Sequence, residues 1–112
     1  MSWLNYPREF RLIEEIKYTS GTINFGVIET DIEYKQWNGV FIPESSENII
    51  PFKMECDENF PSSEPIIHFT DLNNENVKQI CDQYGKLNSS VLNWNKSLSI
   101  HDNLKKVYAH IK

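Results

Sequence analysis

The sequence predicts an α+β fold: an N-terminal helix, a four-stranded antiparallel meander, a long irregular loop and a C-terminal helix. Three observations predict it. Apolar residues recur at helical spacing near both ends of the chain. Between them, short runs alternate apolar and polar residues and are separated by turn residues. A polar stretch over 71–90, with asparagine at 73, 74, 76 and 88, then separates the last run from the second helix. At 112 residues the chain is expected to form one domain over 1–112.

The first helix is expected over 7–17. Pro7 suits a first helical turn, where its missing N–H would be unpaired anyway, and Glu9 lies near the positive end. Phe10, Ile13 and Ile16, with Leu12 beside them, form the apolar stripe. Thr19, Ser20 and Gly21 then break the helix. A strand is expected over 22–27, from Ile23, Phe25 and Val27. A second is expected over 31–36, from Ile32 and Tyr34. Asn38-Gly39 reads as a turn or bulge, with 40–42 continuing the same strand beyond it. After a polar loop over 43–48, the third strand spans 49–56, with Ile50, Phe52, Met54 and Cys56 on one face. Asp57, Glu58 and Asn59 make a turn, and 65–69 is the fourth strand. The last helix starts at Ile100: Ile100, Leu104, Val107, Tyr108 and Ile111 share a face. Ser99 is its cap, with Asp102 three residues on, and Lys105, Lys106 and Lys112 suit its negative end.

Composition narrows the class. Eleven Lys and Arg against 16 Asp and Glu give a formal charge of −5, so a nucleic-acid partner, held by basic phosphate contacts, is not expected. No apolar run approaches the ~18 residues of a membrane span, and the N-terminus has neither the basic nor the apolar region of a signal peptide. No membrane partner is expected. A hydrophobic content of 39% argues against disorder. Two cysteines do not make a disulfide framework, so Cys56 and Cys81 read as free thiols in a reducing compartment. A cytoplasmic and nuclear location is expected.

Few residues carry chemistry on their own. Cys81 is the candidate nucleophile, but the nearby sequence offers Lys78, Lys86 and Asp82 and no histidine to activate it, so it reads as an ordinary loop thiol. Cys56 reads as core. His68, His101 and His110 lack metal-ligand spacing with the cysteines, and the four glycines form no phosphate loop, so no metal or cofactor is expected. Glu14-Glu15 and Asp57-Glu58 read as solvated. Trp37 and Trp94 read as half-buried packing residues. Trp3 has no obvious core to join and reads as disordered or as an interface anchor.

Four segments together resemble the ubiquitin-conjugating fold and, within it, the catalytically inactive ubiquitin-conjugating enzyme variants. Residues 7–16, Pro-Arg-Glu-Phe-Arg-Leu-Ile-Glu-Glu-Ile, resemble the first helix of the variants that build lysine-63-linked ubiquitin chains. Residues 31–39, ending Trp37-Asn38-Gly39, resemble their second strand and turn. Residues 59–69 resemble the family's signature of an aromatic residue and proline, a second proline, then phenylalanine. Gly85-Lys86-Leu87-Asn88, followed by Trp94, resembles the active-site stretch.

The resemblance implies that Asn88 stands where active members carry the nucleophilic cysteine. The family's His-Pro-Asn motif is reduced to Asn74-Glu75-Asn76. Cys81 lies before Gly85, on the wrong side to replace the missing thiol. The expectation is therefore a protein that is not an enzyme. It would bind an active ubiquitin-conjugating enzyme as a heterodimer and hold acceptor ubiquitin for lysine-63-linked chain synthesis. By position, Phe10 and Arg8 are implied to bind the partner, and Asn24, Val40 and Ile49 to contact ubiquitin. The 43–48 loop is shorter than the family's usual one. An alternative resemblance is to the variants of endosomal sorting, which bind ubiquitin and proline-rich peptides. An active enzyme using Cys81 ranks third.

Overall fold

A computed structural model describes residues 2–19, 24–44 and 48–112. After a single 3-10 turn at Trp3–Asn5, the elements are helix α1 (Arg8–Thr19), strands β1 (Phe25–Thr30), β2 (Gln36–Phe41), β3 (Ile50–Glu55) and β4 (Ile66–Phe69), and helices α2 (Glu75–Lys78), α3 (Ser89–Leu92) and α4 (Ile100–Ile111). The strands form one antiparallel sheet in the order β1-β2-β3-β4, the meander expected from the sequence.

Period two sets the sheet's faces. Phe25, Trp37, Phe41, Ile50, Phe52, Met54, Ile67 and Phe69 point inward and are buried, so their neighbours in sequence fall on the opposite side. The helices cover the inner face. α4 supplies Ile100, Leu104, Val107 and Ile111, all buried, and the Tyr108 hydroxyl donates to the carbonyl of Ile42, 3.3 Å away. Ser99 caps α4 as expected, its hydroxyl accepting the Asp102 N–H at 2.9 Å. Cys56 and Trp37 are core residues.

Several expectations need correction. The first strand begins at Phe25 and runs to Thr30; Thr22 and Ile23 lie outside the described residues, as do Ser20, Gly21 and positions 45–47 of the polar loop. Residues 31–34 form the hairpin turn and not a strand. The Asp31 carboxylate accepts the N–H groups of Lys35 (2.7 Å) and Gln36 (3.0 Å), and Tyr34 takes a φ of 60°. A side chain that satisfies its own backbone overrides the alternation. Asn38-Gly39 lies within β2, and the irregularity sits opposite, between Val27 and Glu29 of β1. Gly39 is there for space: a Cβ would lie 2.5 Å from Cζ of Phe52 and 2.6 Å from the carbonyl oxygen of Gly26.

The buried side of α1 also differs from the expected stripe. It carries Arg11, Leu12, Glu15 and Thr19, while Phe10 is 63% exposed. Glu15 is not solvated: it is fully buried, 3.3 Å from Arg11, and accepts the Ile100 N–H on both oxygens at 3.0 Å. Arg11 donates to the carbonyls of Trp3, Lys96 and Leu98 and lies against the rings of Trp3, Phe60 and Trp94. This pair ties α1 to the start of α4. Trp3 does join a cluster, half-buried against Tyr6 and Tyr18 at 5.6 and 5.5 Å between ring centres.

Candidate functional site

The 71–90 stretch is short helices and one tight fold-back, not a structureless loop. Asn74 caps α2, its side chain accepting from Asn76 and Val77. The chain then turns at 82–86, where the Asp82 carboxylate accepts the N–H groups of Tyr84 and Lys86 and Gly85 takes a φ of 89°. The return leg is pinned to the sheet: Leu87 donates to the Ile67 carbonyl, and Phe69 donates to that of Gly85, both at 2.8 Å. It is also pinned to the outgoing leg, with Asn88 donating to the Ile80 carbonyl at 2.9 Å.

Asn88 stands exposed at the head of α3, and its side chain makes no capping bond. Beside it, the Ser89 hydroxyl bonds to the Glu64 carboxylate. Trp94 closes this region from behind, donating to the Pro61 carbonyl at 2.8 Å and lying 5.6 Å from Phe60. Distance along the chain misled on one point. Cys81 pairs across the fold-back with Leu87, so it lies one register step from Asn88. Its Sγ is 3.1 Å from the Val77 carbonyl, and burial, with the Asp82 carboxylate beside it, pushes the thiol up from its ordinary value. Both effects favour the protonated form, which is the weaker nucleophile.

The two residues implied for partner binding behave differently. Phe10 projects from α1 into solvent. Arg8 turns inward, donating to the carbonyls of Asp57 (2.8 and 3.1 Å) and Cys56 (3.2 Å), so it fixes α1 to the end of β3. Between α1 and the 31–35 turn lies a groove of about 480 Å³ whose lining includes Ile13, Ile32 and Tyr34. No sequence pattern marks this groove, because Ile32 and Tyr34 alternate as the residues of a strand do.

The residues implied for ubiquitin do converge. Phe25, Phe41 and Ile50 point inward, so Asn24, Val40 and Ile49 share the outer face at one end of the sheet. The Ile42 N–H donates to the Asn24 carbonyl at 2.7 Å. Val40 lies in register with Gly26 and Pro51 and is half-buried, and Ile49 is 55% exposed. Among the described residues, no group of three His, Cys, Asp or Glu side chains is placed to hold a metal. No described helix is long and apolar enough to cross a membrane.

No protein-family model matches the chain, and no curated protein matches it. Solved structures do. A ubiquitin conjugating enzyme E2 from Plasmodium falciparum superposes with a TM-score of 0.75 at 18% identity, over 91% of this chain and 96% of that one. The Plasmodium vivax ubiquitin conjugating enzyme E2 gives 0.74 at 16%, over 91% and 99%. Human ubiquitin-conjugating enzyme E2 G1 gives 0.68 at 16%, over 95% and 96%. The chain therefore has the ubiquitin-conjugating fold. The same neighbours correct the expectation, drawn from Asn88, that it is not an enzyme: they are named as conjugating enzymes, and a shared fold does not by itself establish a loss of activity.

Proposed function

We propose that a chain with this fold takes part in ubiquitin conjugation as the partner subunit of a ubiquitin-conjugating enzyme. It docks through Phe10 and orients acceptor ubiquitin for lysine-63-linked chain synthesis. The observation that carries this reading is Phe10 itself: a phenylalanine on a helix whose other side is packed, left 63% exposed. Arg8 holds that helix end against the Cys56 and Asp57 carbonyls, so the aromatic is presented from a fixed base. The outer face near Asn24, Val40 and Ile49 is the ubiquitin-contacting surface in this reading. Its contribution is proximity: bringing an acceptor amine to the partner's thioester converts a bimolecular step into an effectively unimolecular one.

Calorimetric titration of a purified lysine-63-type ubiquitin-conjugating enzyme tests it. Phe10→Ala removes a side chain that the fold leaves outside the core, so the thermal midpoint stays put. Binding weakens at least about thirtyfold, the loss expected of an interface anchor. Equal affinity of the two proteins, or no binding of either, would overturn the reading.

A further inference from the structure

We infer that the seam between α1 and the start of α4 is a proton-operated latch: Arg11 and Glu15 grip residues 96–100 while Glu15 carries its proton, and loosen from them as the proton leaves. The latch belongs to the chain itself and acts whichever partner the chain takes.

Both side chains are fully buried, and both reach from α1 to the far end of the chain. Arg11 donates to the carbonyls of Lys96 at 2.7 Å and Leu98 at 3.0 Å, and to that of Trp3 at 3.4 Å. Glu15 accepts the Ile100 N–H, at the first residue of α4, on both oxygens at 3.0 Å. The other side of the seam is held together separately. Buried Asn103 accepts the Asn95 N–H at 3.0 Å and donates to the Ser99 carbonyl at 2.8 Å. Residues 95–100 therefore stay with α4 when α1 lets go. A carboxylate offers about four lone-pair sites. Among the described residues two donors reach Glu15: the Ile100 N–H and, at 3.3 Å, the Arg11 Nε. Protonated, the group needs no more. Ionised, it is a buried charge only partly met, and parting the seam lets water reach it. Such a local opening uncovers far less surface than global unfolding does.

The groups around Glu15 set the range in which this happens. Burial raises its proton affinity most. The Ile100 N–H and Arg11 oppose that, Asp102 on α4 adds to it, and the carboxyl is brought to about 7. Beyond the end of β3, Cys56 also feels the Glu15 charge, but its thiol is pushed up to about 12 and carries no charge itself. His101 lies against Tyr18 and Phe25. Burial, then Lys105, hold it below its ordinary 6.5, so it is largely uncharged where Glu15 titrates. The Trp3–Asn5 turn brings no charged side chain. In the opened seam Glu15 returns to its ordinary 4.5. The ratio of open to closed seam then rises by about fortyfold from pH 5 to pH 7 and levels off above about 8.

The test is native-state hydrogen exchange followed by NMR, with rates corrected for the pH dependence of the free amide. The Ile100 amide, which Glu15 holds, is compared with the Phe52 and Met54 amides of β3. Ile100 exchanges faster than either and is insensitive to urea up to about 1 M, as a local opening requires. Its protection falls by about fortyfold between pH 5 and 7. Glu15→Gln removes that pH dependence. Exchange of Ile100 only in step with Phe52 and Met54, with their urea dependence, would overturn the latch. So would local exchange that ignores pH, or the same pH dependence in Glu15→Gln. The wild-type measurements decide the matter even if that variant does not fold.

Discussion

Glu15 gives the sharpest physical prediction. Its carboxyl is fully buried, and burial pushes it up from 4.5 to about 7 despite the Ile100 N–H and the Arg11 guanidinium, which both pull it down. Burial is the largest influence on this carboxyl, and the Ile100 N–H and the Arg11 guanidinium oppose it without cancelling it. The folded state therefore holds the Glu15 proton more tightly than the unfolded chain does. Stability from this group is fully present below pH 4.5 and is lost as pH rises through about 7. At about 1.4 kcal/mol for each tenfold in proton affinity, the loss amounts to about 3 kcal/mol. That is a large share of a small domain's total. Glu15→Gln keeps the shape and removes the titration. Urea unfolding of both proteins from pH 4 to 8 reads the difference: the wild-type value falls by about 3 kcal/mol relative to the variant. Parallel curves would refute the argument, whatever their separation.

Two further outcomes follow from the sheet. Gly39→Ala forces a methyl against the Phe52 ring and the Gly26 carbonyl and lowers the urea-derived stability by about 2 kcal/mol; an unchanged midpoint would show that the strands do not approach so closely there. Ile49→Asp leaves binding of the partner enzyme intact and abolishes chain extension. Labelled ubiquitin perturbs amides around Asn24, Val40 and Ile49 in NMR titration, whereas a map centred elsewhere, with a silent Ile49→Asp, would remove that site.

The last helix was legible because two signals agree there: a Ser99 cap and an apolar stripe from Ile100 to Ile111. β3 was legible because one face of it is wholly buried. The 31–34 turn was not, since Ile32 and Tyr34 imitate an alternating strand, and only the reach of the Asp31 carboxylate decides otherwise. The packed side of α1 was hidden because Arg11 and Glu15, read singly, belong in water. Their i, i+4 spacing was the signal, but Arg11's other partners come from the far end of the chain. Asn88 could be placed by its distance from Gly85, while the nearness of Cys81 depends on a fold-back that no local pattern announces. The outer face of Asn24, Val40 and Ile49 follows from alternation, while their meeting at one end of the sheet depends on the strand register, which alternation alone does not give.

The proposed function requires this chain to promote lysine-63-linked chain synthesis by a partner enzyme. The direct measurement combines activating enzyme, ATP, ubiquitin and a lysine-63-type ubiquitin-conjugating enzyme, with and without the purified chain, and reads the linkages by mass spectrometry. Lysine-63-linked chains accumulate when both proteins are present and not when this chain is replaced by its Phe10→Ala variant. The same yield and linkage pattern with and without the chain would contradict the proposed function.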